Sequence, residues 1–240
     1  MEDQLYGSRG LVIGVTVIIL FCADILLKSR GLQGRYEILH AIGNGVATAL
    51  TAQGMLETLF DPVHAFHLAP NLNGYCVCIG IHAYHVMAFR PLPTLEWVHH
   101  ILMIGLVGPI VFYFPVGAIL DYCVFFLSGF PGGVSYVLLA MRKNKYLKAL
   151  AEKRLNAAIN TWIRTPFTSI GGYLIFRVVY VKRANLTYVE ILAGLFVAAL
   201  SAWNGIFFGR RVVENYGNRR PSGSDPHTSW GSWFKWNNYG

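Results

Sequence analysis

The sequence predicts an all-α protein, a polytopic transmembrane helical bundle of about seven spans, with its N-terminus outside and its C-terminus on the positive-inside side. Three observations predict it. Charged residues make up 13% of the 240 residues and hydrophobic ones 54%, against about 25% charged in an ordinary soluble domain. The mean hydropathy is +0.43. The net charge of +8 is spread unevenly over the loops, in the pattern that membrane topology produces. Together they argue against a soluble enzyme, a disordered chain and a secreted disulfide scaffold.

A spanning helix needs about 20 mostly apolar residues, because ~30 Å of hydrocarbon is crossed at ~1.5 Å per residue. Seven stretches qualify: Gly10 to Leu27, Tyr36 to Phe60, Leu72 to Phe89, Thr94 to Phe114, Val116 to Met141, Leu155 to Val181 and Thr187 to Phe208. The third is short, since Pro91 and Pro93 force a tight turn into the fourth. This divides the chain into an N-terminal segment (1–9), a seven-span domain (10–209) and a polar, aromatic tail (210–240). Seven spans leave Arg9, Lys182 and Arg183 on one side and fifteen Lys and Arg of the loops and tail on the other, with Arg164 and Arg177 inside the sixth span. Short cytoplasmic loops gather Lys and Arg, so the fifteen mark the inner side. Dropping a middle span would scramble the asymmetry.

The first apolar segment reads as a span rather than a signal peptide. Met1-Glu2-Asp3 stands where a basic region would be, and no small-residue cleavage site follows. Targeting would then reside in a span or in a presequence outside this chain. The host membrane is expected to be the endoplasmic reticulum or an organellar membrane such as the mitochondrial inner membrane. Asn185-Leu186-Thr187 is a glycosylation sequon so close to the membrane that it reads as unused. Cys22, Cys76, Cys78 and Cys123 all fall within spans, and Cys76-Val77-Cys78 lacks the two-residue gap of a zinc site. They read as small apolar fillers, and no metal ligands are assigned.

Ionisable groups at membrane depth are costly, so they face a bundle interior and point to function. In the second span Glu37, His40, Asn44, Thr48 and Thr51 are spaced three or four apart, hence on one helical face. In the sixth span Asn156, Asn160, Arg164 and Thr168 repeat the device, and Pro166 offers a local break that frees carbonyls. His82 and His85 share a face of the third span, and the fourth opens with Glu96 and His99-His100. Asp121 and Ser128 lie in the fifth span, and Glu190, Trp203 and Asn204 in the seventh. One reading is a polar cavity lined by His40, Asn44, His82, His85, Asp121, Asn160 and Arg164. The other is interhelical glue, each bond contributing roughly 0.6–2 kcal/mol.

Three chemistries use clustered histidines. A membrane di-iron hydroxylase needs about eight in several clusters, whereas the eight here are scattered and His227 lies in the tail. Bis-histidine haem ligation is geometrically open to His40, His82 or His85 facing His99 or His100, but nothing else marks a haem pocket. Acyl chemistry would use His99 or His100 as the catalytic base or transient acyl carrier and the other as its orienter. The tail carries Trp230, Trp233, Phe234 and Trp236, aromatic anchors suited to a bilayer interface or a partner subunit. Nucleic-acid binding has no support, since the basic residues sit where topology requires them.

Trp97-Val98-His99-His100 at the head of a span resembles the TLC-domain superfamily, which includes the ceramide synthases and the translocon-associated membrane proteins. Phe126-Leu127-Ser128-Gly129-Phe130-Pro131 is similar to that group's acidic-x-Ser-x-Pro-Phe segment. Asn160-Thr161-Trp162-Ile163-Arg164 is similar to its late arginine-bearing helix, and Ala202-Trp203-Asn204 to its final span. The likeness covers roughly Tyr36 to Tyr216. Phe126 replaces the acid, and only Asp121 stands where ceramide synthases have twin Asp residues. His99 and His100 match, with Arg164 as a third. The resemblance therefore implies a lipid-binding or lipid-positioning protein with altered or lost acyl-transfer chemistry. The alternative is a non-catalytic accessory subunit that docks on other membrane protein subunits through helix faces and the tail.

Overall fold

A computed structural model describes residues 2–114 and 116–219. The tail anchors Trp230, Trp233, Phe234 and Trp236 lie outside the described residues. The described residues are helical, with no strand among them. The helices are α1 (Glu2–Ser29), α2 (Arg35–Phe60), the single turn α3 (Pro62–Ala65), α4 (Leu72–Ala88), α5 (Thr94–Tyr113), α6 (Ile119–Lys143), α7 (residues 149–182) and α8 (Tyr188–Gly217). Helix thus occupies each of the seven apolar segments. Four stretches are long and apolar enough to cross a membrane: Ser8–Ser29, Thr94–Tyr113, Ile119–Lys143 and Tyr188–Gly217. α4 has only 17 residues, while α2 and α7 dilute their apolar content with the polar rows noted above. Three ends differ most from the expected boundaries. α1 begins at Glu2, eight residues ahead of Gly10. α7 begins at Ala149, six residues ahead of Leu155, and α8 continues nine residues past Phe208.

Local chemistry explains where the elements begin. Asp61 and Asn71 accept hydrogen bonds from the first free amides of α3 and α4. Thr187 and Glu190 form a reciprocal capping box at the start of α8, so the sequon threonine serves as a helix cap. Between α5 and α6, Gly117 adopts φ +64°, a conformation that costs glycine nothing. A side chain there would strike the carbonyl oxygens of Ala65 and Phe66, where the next amide, Ala118 N–H, donates to Ala65 O at 2.9 Å.

Three long helices contain a wide, π-type turn, and each lies just before a proline. Ile101–Leu106 precedes Pro109, Phe125–Gly129 precedes Pro131, and Asn160–Arg164 precedes Pro166. A proline inside a helix removes an N–H donor and crowds the preceding turn. The chain answers by widening, so that Val107, Phe130 and Thr165 donate five residues back, to Leu102, Phe125 and Asn160.

α2 and α6 form the centre, α4 packs on α2, α1 on α4, and α7 lies beside α8. The α7–α8 approach is close: a Cβ at Gly172 would come within 2.6 Å of Ala198 O. α5 leans chiefly on α8. On α1, Leu11, Ile18, Ile19 and Phe21 are each more than half exposed. A helix face so apolar requires a hydrocarbon surround or a partner to cover it.

Candidate functional site

The starts of α2, α5 and α7 and the later parts of α4, α6 and α8 meet at one end of the bundle. That end is tied together by Lys143–Glu37 at 2.6 Å and by Gln33 N–H donating to Asn144 Oδ1 at 3.2 Å. It is also the end carrying the basic α6–α7 loop. From here a cavity of about 330 Å³ runs into the bundle. Its inner stretch is apolar, walled by Val107 and Val111 of α5, Phe114 at the end of that helix, Val116 ahead of α6, Leu120 of α6, Ile175 of α7, and Val197 and Leu200 of α8. Its outer stretch is polar: His40 and Asn44, His82, His99, Ser135 and Tyr136, Glu152, Lys153, Asn156, Asn160 and Arg164, and Asn204. All three wide turns contribute to the wall, through Met103 and Ile104, Leu127 and Ser128, and Asn160 and Arg164.

Beside this polar stretch lies a cluster of five imidazoles. Ring centroids are 5.8 Å apart for His82–His99, 5.2 Å for His82–His100, 4.8 Å for His85–His100 and 5.2 Å for His40–His85. Tyr136 packs on His40 at 4.6 Å. Helix geometry orients the rings. His40 Nδ1 donates to Tyr36 O at 2.8 Å, His82 Nδ1 to Cys78 O at 2.7 Å, and His100 Nδ1 to Glu96 O. A carbonyl can only accept, so Nδ1 carries the proton and a neutral ring offers Nε2 as an acceptor. His85 differs: its Nε2 faces Glu96 Oε2 at 3.2 Å.

Six of the nine residues expected in the site are on the cavity wall: His40, Asn44, His82, His99, Asn160 and Arg164. His85 and His100 are buried one layer behind, in ring contact with those on the wall. Asp121 is not on the wall. Its carboxylate accepts Asn71 N–H at 3.0 and 3.1 Å and packs against Gly54, anchoring the start of α4 to α6. Ser135, Tyr136, Glu152 and Lys153 join the wall without having been singled out in the sequence, whereas Asn156 and Asn204 stand among its polar span residues but outside the expected lining. Asn156 carried a usable signal, standing one turn before Asn160. Glu152 and Lys153 fell ahead of the expected span.

Several polar atoms on this wall are buried and have no hydrogen-bond partner among the described residues: His99 Nδ1, Ser135 Oγ, Asn156 Oδ1, Asn160 Oδ1, Arg164 Nε and Asn204 Oδ1. Native interiors satisfy the great majority of such groups, so their clustering in residues around one cavity sets this region apart from an ordinary interior. Glu152 is fully buried and ion-paired: Oε1 accepts Asn156 Nδ2 at 2.6 Å, and Oε2, without a hydrogen bond among the described residues, lies 3.1 Å from Lys153 and 3.4 Å from Arg142. No three His, Cys, Asp or Glu side chains among the described residues are arranged to hold a metal ion.

Compared with known proteins, the chain matches no family model, no curated protein and no solved structure. Its function rests on the site itself.

Proposed function

We propose that the protein is a membrane-embedded lipid carrier or positioning protein, which holds one amphipathic lipid with its chain in the apolar stretch and its head at the polar end. One observation carries the reading. A single cavity joins an aliphatic and aromatic sleeve to a cluster of buried, unpartnered polar atoms, and a lipid has that same division. The volume of about 330 Å³ lies at the small end of the ~300–1,000 Å³ typical of ligand sites, which favours one chain over two. The proposal includes seven spans with the N-terminus outside. Its support is that the basic loops and the polar mouth share one end of the bundle, as expected for a site opening toward an inner headgroup layer. A relationship to the TLC superfamily, with acyl transfer altered or lost, remains part of this reading. Catalysis draws no support from His99, whose Nδ1 has no hydrogen-bonded orienter among the described residues.

The test is lipid co-purification measured by mass spectrometry. Wild-type protein in detergent should retain about one acyl lipid per chain. Val111→Trp, which fills the sleeve, should retain less than half as much while keeping its helical content. Equal retention by the two proteins would sink the proposal.

A further inference from the structure

We infer that the guest is a single-chain anionic lipid whose headgroup also carries hydroxyl groups. This rests on the lipid-binding reading above and adds the chemistry of the head. The charge of the wall gives the first half. Its one carboxylate among the described residues, Glu152, is matched by Lys153 at 3.1 Å. That leaves Arg164 as the uncompensated charge, with Nε buried and unpartnered. A half-buried guanidinium with no counter-charge on the wall and its Nε out of reach of water favours an anion beside it, and its planar fork suits a phosphate or carboxylate. An ammonium-bearing head would be repelled by the same group.

The asparagines give the second half. Asn156 Nδ2 donates to Glu152 Oε1 at 2.6 Å, and Asn160 Nδ2 donates to the backbone oxygen of Asn156 at 2.9 Å. Both partners can only accept, so neither amide can be turned round. Their Oδ1 atoms are therefore fixed as acceptors, and both are buried and unpartnered on the wall, as is Asn204 Oδ1. These side chains are nearly inaccessible, Asn160 at 2% and Asn204 at 1% exposure. Amide oxygens grouped in this way require donors, and beside a cation those donors are hydroxyls.

Four probes carrying the same oleoyl chain separate the two requirements, using full-length protein in detergent and saturation binding. Oleoyl lysophosphatidylglycerol has the anion and the hydroxyls, oleate the anion alone, monoolein the hydroxyls alone, and methyl oleate neither. Lysophosphatidylglycerol should bind about tenfold or more tighter than oleate or monoolein, and methyl oleate most weakly. Arg164→Gln should weaken lysophosphatidylglycerol and oleate about tenfold and leave monoolein unchanged, with Arg164→Lys restoring part of the loss. Asn156→Leu should weaken lysophosphatidylglycerol and monoolein but not oleate. Four equal affinities in the wild type would overturn the headgroup assignment and leave the lipid site standing. No saturable binding of any probe would overturn the lipid site itself. The wild-type comparison needs no variant to fold.

Discussion

α2 and α7 carry the same sequence device, polar residues every three or four positions along an otherwise apolar helix, and the fold uses the two rows differently. On α2 the row is closed on itself. Thr48, Thr51 and Thr58 each donate to the carbonyl four residues back at 2.7–2.8 Å, His40 does the same through Nδ1, and Asn44 Oδ1 accepts Ser128 Oγ at 3.3 Å. On α7 the amide nitrogens are pinned, while Asn156 Oδ1, Asn160 Oδ1 and Arg164 Nε, in residues that line the cavity, are left without a hydrogen-bond partner among the described residues. The cause is the neighbourhood. α2 runs between α4 and α6 and reaches the cavity only at His40 and Asn44, whereas the first half of α7 borders open volume from Glu152 to Arg164. A polar stripe is thus either glue or a site, and what stands opposite decides which.

That contrast can be broken in three graded ways, each read from thermal unfolding in detergent. The largest effect is expected at the closed part of α7. Glu152→Gln leaves Lys153 and Arg142 beside a neutral group in a fully buried position and should cost about 3 kcal/mol or more. An unchanged midpoint would mean that water already solvates this carboxylate. Next, Asn44→Leu on α2 removes the partner of the Ser128 hydroxyl and should cost about 1–3 kcal/mol. Smallest is the same substitution on the open row. Asn160→Leu removes a buried amide oxygen that nothing satisfies and should shift lipid-free protein by less than about 1 kcal/mol in either direction. Equal losses for Asn44→Leu and Asn160→Leu would erase the distinction between the rows.

The helical class, the seven apolar segments and the nearness of His82 to His99 could be read from the sequence, because they follow from hydropathy and from the short turn that joins the third and fourth segments. Asp121 shows where such reading stops. A carboxylate in a span predicts a polar partner, but not that the partner is the Asn71 backbone at the head of α4. Glu152 and Lys153 stood outside the expected span because charge was taken to mark its end, whereas here they neutralise one another and the helix continues. The prolines were only partly legible. Pro166 suggested a break, yet widened turns also precede Pro109 and Pro131, which no periodicity signals. Which Asn oxygens stay unpartnered depends on all the surrounding helices, and one strand of sequence does not contain that information.

The placement of α5 has a consequence for how the molecule would come apart. This helix supplies one wall of the cavity from His99 to Phe114, yet it leans chiefly on α8 and buries few of its own residues. Cooperative units with few buried contacts open at a free energy well below that of the whole fold. The segment bearing Trp97-Val98-His99-His100 is therefore expected to open at lower free energy than the central α2 and α6. The inner surface of the bundle can be exposed by local opening of this helix while α2 and α6 stay folded.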